Sequence, residues 1–271
     1  MRLQATTSGH RYHIEIIGAG EPLLLLHGFS GDCTTWRSVA TALADRWQVI
    51  MLDSLGHGAS DSPPHAESYR MESAAADIID LLNQFEIMRT HLLGYSMGGR
   101  LALYLALLYP LRLRSLILES ASPGLADETE RAQRRRHDQA LADKIEAKGI
   151  ASFVDYWERL PLWATQSKLP PGILAAQREQ RLRNSPLGLA NSLRGLGTGA
   201  QPNLWPRLPT LHLPTLLLAG EADDKFRGLN QAMAARLSRA QLRLIPAAGH
   251  NTHLENAPAF CSEVSSFLAN C

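Results

Sequence analysis

The stretch "HLLGYSMGGR", residues 91–100, decides the fold. It is an apolar run that ends in a serine boxed by glycines, with an arginine four residues further on. Gly94-Tyr95-Ser96-Met97-Gly98 fits G-x-S-x-G, the nucleophile elbow, in which a strand turns sharply into a helix and the serine sits strained at the bend. The glycines suit that turn because strand and helix backbones approach too closely for a Cβ. His91-Leu92-Leu93 reads as the end of a buried strand, and Leu101–Leu108 is apolar enough for a buried helix. A glycine-rich turn with an incidental serine is the competing reading, and the flanking strand and helix speak against it.

Working outward, "RYHIEII" (11–17) alternates like an edge strand, and "EPLLLLHG" (21–28) is a short apolar run ending in His-Gly. "WQVIMLDSLGHGAS" (47–60) reads as a strand followed by a glycine-rich turn. "MESAAADIIDLLNQF" (71–85) has helical periodicity, with Ile78, Leu81, Leu82 and Phe85 on one face. "RSLILES" (114–120) is a further strand. Continuous apolar strands separated by helices indicate a mostly parallel sheet with helices on both faces. After Ser122 the short buried strands vanish, and residues 125–208 read as helical pieces punctuated by prolines. The α/β pattern returns with "LPTLLLAGEADD" (213–224), a helix near 229–237, the strand "AQLRLIP" (240–246), the turn "AAGHNTH" (247–253) and a last helix from Pro258. The expected organisation is an α/β core of residues 1–124 and 209–271, carrying a helical cap, 125–208, inserted after the sixth strand.

Composition excludes several classes of function. The chain has 271 residues, 45% of them hydrophobic, and a net charge of +1, which suggests neither nucleic acid nor a membrane surface as partner. No stretch approaches the ~20 apolar residues of a membrane span. The start, "MRLQATTSGHRY", lacks a signal peptide's apolar core. Only Cys33, Cys261 and Cys271 occur, an odd number without a C-x-x-C pair. That pattern points to a reducing, cytoplasmic setting, without a disulfide scaffold or a metal site.

A serine at an elbow needs a base. In this architecture the partners follow in the order Ser, acid, His, at strand ends that converge on one edge of the sheet. "LLLAGEADD" offers Glu221, Asp223 and Asp224, and "LIPAAGHNTHLE" offers His250 and His253. Asp223 lies a few residues past its strand, where a loop carboxylate can reach a histidine, and His250 follows Gly249 in a tight turn. They are the chosen partners, with Asp224 and His253 as rivals. His250 would accept the serine proton while Asp223 fixes its tautomer and stabilises the imidazolium. An oxyanion hole needs two aimed backbone donors. Met97 follows the nucleophile, and Phe29 lies in the loop "LLHGFSGD". His27 and His57 read as structural turn residues.

Arg100 raises a question of charge. A cation in the first turn of a helix faces the positive end of its dipole, at a cost of roughly 0.3–1 kcal/mol. Either it bridges to a nearby carboxylate of the protein, or it holds a carboxylate of the substrate beside Ser96. Residues 125–208 contain thirteen Lys and Arg against nine Asp and Glu, whereas the whole chain has 27 against 26. Arg134, Arg135, Arg136 and Arg183 are the cap arginines expected to face the site. Together with Arg100 they point to a small polyanionic substrate, because arginine grips carboxylates with two prongs.

The runs "LLGYSMGGRLALYLAL", "LILESASPGL", "WERLPLW", "LRGLGTGAQPNLW" and "LLLAGEADDKF", with "AAGHNTHLENAP", resemble one branch of the α/β-hydrolase superfamily. That branch is the 2-succinyl-6-hydroxy-2,4-cyclohexadiene-1-carboxylate (SHCHC) synthases of menaquinone and phylloquinone biosynthesis. The resemblance runs over nearly the whole chain. It implies a lyase that works without a cofactor and expels pyruvate from a cyclohexene substrate carrying three carboxylates. Matched motif by motif, it places the triad on Ser96, Asp223 and His250, substrate arginines on Arg100, Arg134 and Arg183, and pocket-lining side chains on Tyr95 and Trp157. The run "RRR" leaves the register among Arg134, Arg135 and Arg136 open. The same triad would also serve an ester or C–C bond hydrolase working through an acyl-enzyme, and the fold also hosts ligand-binding proteins without catalysis.

Overall fold

The computed structural model describes all 271 residues. Its strands are β1 (Arg2–Thr7), β2 (His10–Ile17), β3 (Glu21–Leu26), β4 (Trp47–Leu52), β5 (Thr90–Tyr95), β6 (Leu113–Glu119), β7 (Thr215–Gly220) and β8 (Ala240–Ile245). Its helices are α1 (Arg37–Leu43), α2 (Met71–Gln84), α3 (Met97–Leu108), α4 (Glu128–Trp157), α5 (Pro171–Leu182), α6 (Pro186–Leu196), α7 (Asp224–Ala234), α8 (Thr252–Glu255) and α9 (Ala257–Leu268). The strands form one sheet in the order β1-β2-β4-β3-β5-β6-β7-β8. β1 and β2 are antiparallel to each other, β2 is antiparallel to β4, and every pair beyond is parallel.

Both faces of the sheet are covered, which explains why the central strands are unbroken apolar runs. Side chains alternate along a strand. Leu24 and Leu26 therefore join the core under α2 and α3, while Leu23 and Leu25 join the core under α1 and α9. Two expectations shift. The strand expected at the edge, β2, lies one place in, because β1, on "RLQATT" where the sequence shows no apolar run, pairs with it and takes the edge with its outer residues facing solvent. The helix expected near 229–237 begins at Asp224, because the Asp223 side chain caps it by accepting the Phe226 N–H at 3.1 Å.

Between β6 and β7 the chain is helical. α4 and α6 share a small core of their own, including Leu141, Ile145, Phe153 and Leu193, against which Phe29 of the sheet's β3 loop packs. α4 is interrupted at Gly149, whose φ of 76° lies in the left-handed region, so the chain changes direction between the turn carrying Arg134 and the turn carrying Trp157. No helix is long and apolar enough to cross a membrane.

Candidate active site

The elbow is built as the glycine spacing demands. β5 ends at Tyr95, α3 begins at Met97, and Ser96 between them has φ 51° and ψ −107°. A non-glycine residue in that region costs ~1–3 kcal/mol and persists only where its surroundings hold it. Here the Ser96 N–H donates to the Glu119 carbonyl at 2.9 Å. A Cβ on Gly94 would collide with the Gly98 carbonyl, and one on Gly98 with the Leu26 carbonyl. No other residue lets β5, α3 and the end of β3 pack this closely.

Two loops bring the remaining groups to this serine. His250 Nε2 lies 3.1 Å from Ser96 Oγ, and His250 Nδ1 lies 3.1 Å from Asp223 Oδ2. Both side chains are nearly buried, at 3% and 9% exposure. The imidazole is boxed by the rings of Phe226, Tyr95 and Trp163 at 4.7, 5.5 and 5.8 Å. The rival residues are placed elsewhere. Asp224 is 93% exposed and pairs with Arg227. His253 is buried with Nδ1 2.6 Å from Glu119 Oε2, and its ring packs on Trp36 at 4.3 Å. His27 is wholly buried and accepts the Ser54 N–H at Nε2, 3.0 Å away. Burial lowers the pKa of His57 to about 3, so that ring is neutral and structural.

The Phe29 N–H makes no hydrogen bond within the protein. Met97 opens α3, so its N–H has no acceptor within the helix. Both residues line the same cavity of about 260 Å³ as Ser96 and His250.

The charge on this cavity is uneven. Arg100 is 9% exposed and lines it. Its only side-chain partner is the Gln201 carbonyl oxygen, at 3.3 Å, and no carboxylate bridges it. Burial, reinforced by the neighbouring Arg134 and partly offset by the Asp138 carboxylate, brings its pKa down to about 10, so it remains a cation at neutral pH. An unpaired buried charge is costly unless something else supplies the counter-charge. Arg134 also lines the cavity, held by Asp138 at 2.7 Å, while Arg135 turns away to Glu128. Tyr95 and Trp157 form part of the wall.

Arg183 does not reach the cavity. Its side chain is 54% exposed and pairs with Asp32 at 3.1 Å. Two residues along a helix point to nearly opposite sides, and the buried arginine of α5 is Arg181 instead. Arg181 lies over the Trp163 ring at 5.2 Å, 3.2 Å from Glu158. Lys225 on the cavity rim was not singled out from sequence, although a lysine in the first turn of a helix is itself a signal. Asp32, Cys33 and Asp53 approach one another closely enough to share an ion. However, Asp53 already accepts the N–H groups of Cys33 and Ala59, and Asp32 accepts from Gln180 and Arg183. Those oxygens serve the loop after β3 and lie apart from the cavity wall.

Comparison with known proteins places this geometry in context. Residues 21–257 match the α/β-hydrolase fold family. A 2-succinyl-6-hydroxy-2,4-cyclohexadiene-1-carboxylate synthase from Serratia proteamaculans is 34% identical, over 92% of this chain and 93% of that protein. A Bacillus subtilis protein that bears the same name provisionally is 40% identical, over 97% of each chain. Among solved structures, MenH from S. aureus superposes with a TM-score of 0.91 at 38% identity, covering 95% of this chain and 98% of that one. A thermophilic esterase from Thermogutta terrifontis, solved with malate bound, gives a TM-score of 0.88 at 29% identity over 100% and 98% of the two chains.

Proposed function

The chain belongs to the SHCHC synthase family of α/β-hydrolase-fold enzymes, a lyase family of menaquinone biosynthesis, and we propose that its Ser96–His250–Asp223 constellation performs the pyruvate elimination as a base. Residues 125–208 act as a cap over the site. The substrate is 2-succinyl-5-enolpyruvyl-6-hydroxy-3-cyclohexene-1-carboxylate. Ser96 Oγ, with its own proton drawn to His250, removes a ring proton. The developing negative charge spreads to the succinyl carbonyl oxygen, which the N–H groups of Phe29 and Met97 receive. The ring C–O bond then breaks, a ring double bond forms, and the enolpyruvyl group departs and takes up a proton to become pyruvate. Asp223 holds the His250 tautomer and offsets the imidazolium charge throughout.

The observation that carries this reading is Arg100. A buried guanidinium without a carboxylate partner, beside Ser96 on one cavity wall, calls for an anionic substrate. An ester hydrolase for neutral substrates has no use for it. Arg134 supplies a second cation lining the same cavity, whereas Arg181, the buried arginine of α5, is paired with Glu158 and lies outside that lining. The decisive test is a coupled pyruvate assay on the purified protein. Stoichiometric release of pyruvate with the cyclohexadiene product supports the lyase. Absence of pyruvate, with burst kinetics on an activated ester, would instead identify an acyl-enzyme hydrolase.

A further inference from the structure

Lys225 is a cation whose position local stability does not explain. It sits in the first turn of α7, two residues after the N-cap Asp223, where the helix dipole disfavours positive charge. Both neighbouring carboxylates are engaged elsewhere: Asp223 lies 3.1 Å from His250, and Asp224 lies 2.8 Å from Arg227. The Lys225 ammonium lies 5.5 Å from the centre of the Phe226 ring, whose own centre is 4.7 Å from that of His250. Lys225 lines the cavity yet is exposed, whereas Arg100, which lines it too, is buried. The cavity therefore presents three cations, Arg100, Arg134 and Lys225, at increasing access to solvent. Lys225 thus presents a charge without a protein counter-ion at a cavity that already holds two other cations, next to the ring that packs on His250.

The geometry points to Lys225 as a specificity-determining contact for the carboxylate of the departing enolpyruvyl group. This inference rests on the lyase reading above. The substrate bears three carboxylates, and two remain with the ring product. The carboxylate that leaves needs a path to solvent, so it belongs on the exposed cation rather than on the buried one. A flexible ammonium also releases its partner more readily than a two-pronged guanidinium.

Kinetics of pyruvate release with the full-length Lys225→Gln variant test the assignment. Loss of a hydrogen bond to a charged group should raise KM about tenfold with a smaller change in kcat. Lys225→Arg should recover most of that loss. Product inhibition by pyruvate should weaken by a similar factor in Lys225→Gln, while inhibition by the ring product stays close to wild type. Tm should hold or rise, since a misplaced cation has left the helix end. Lys148→Gln, an exposed lysine on α4, removes the same charge far from these contacts and should leave KM unchanged. The assignment is overturned if KM and pyruvate inhibition in Lys225→Gln stay within twofold of wild type, or if Lys148→Gln moves them equally. A wild-type enzyme that releases no pyruvate at all would overturn the lyase reading first, and this inference with it.

Discussion

At the scale of single residues, the triad and Arg100 make separable predictions. Ser96→Ala and His250→Ala should each lower kcat by several orders of magnitude, and the double variant should be scarcely worse than either, because a triad acts as a unit. Additive losses in steady-state kinetics would refute that unit. His253→Ala should behave differently: it strips the buried Glu119 of a partner, so Tm should fall while the protein that stays folded keeps most of its kcat. Arg100→Ala should reduce kcat/KM at least about tenfold through a lost charge-assisted hydrogen bond, and Arg100→Lys should rescue little, since lysine lacks the planar fork. That Ser96, Asp223 and His250 could come together is legible because each follows a strand end that the apolar runs mark. Arg183 lies away from the cavity for a physical reason. A residue's place on a helix surface depends on the helix's phase, and α5, opening with two prolines and carrying arginines at 178, 181 and 183, offers no periodic signal strong enough to set it. Only the packing of α5 on Trp163 and Glu158 selects Arg181.

At the scale of elements, glycines separate close packing from chain freedom. A Cβ on Gly98 meets the carbonyl oxygens of Leu26 and His27, which belong to backbone and cannot swing aside. Gly98→Ala should therefore shift the loop that carries the Phe29 N–H, lowering both Tm and kcat. Gly172, in α5, has nothing near its Cβ position. Gly172→Ala should be neutral or stabilising by up to ~1 kcal/mol, a rise in Tm of about 2–4 °C. Thermal melts of the two variants check both, and equal Tm values would show that the elbow is not tightly packed. What could be read in advance at this scale was what burial imprints on sequence. β3 through β7 are apolar runs because both faces are covered, whereas β1, an edge strand exposed on one side, carries no such mark. The start of α7 was placed five residues late because its first turn, Asp224-Lys225-Phe226-Arg227, is polar apart from Phe226, and the signal lies instead in the cap, Asp223. The same carboxylate thus starts a helix and faces the histidine, one feature with two uses.

At the scale of the molecule, charge is distributed in a way that the near-neutral total conceals. The helical segment 125–208 is net basic, so the remaining sequence is net acidic, and the cavity lies where the two meet. The class of fold follows from order along the chain, but the meeting of this basic helical segment with a strained serine follows only from how the segment packs on the sheet. Under the proposed function, two kinds of cation act on an anionic substrate. Exposed charges draw it in over distances that salt screens, with a Debye length of about 10 Å at 0.1 M. A buried charge acts at contact and is screened little. With a net charge of only +1, long-range attraction must arise from the local field of the cap and rim. Raising ionic strength to about 0.5 M should therefore lower kcat/KM for the tricarboxylate severalfold through KM, with kcat nearly constant. Arg134, at 40% side-chain exposure, contributes to the screened part, so Arg134→Ala should flatten the salt dependence. Arg100→Ala should lower the whole curve without changing its slope, because its contribution is made at contact in a buried wall. If Arg100→Ala flattened the slope while Arg134→Ala did not, the buried guanidinium would be steering rather than gripping, and the division of labour between core and cap would be the reverse of the one argued from burial.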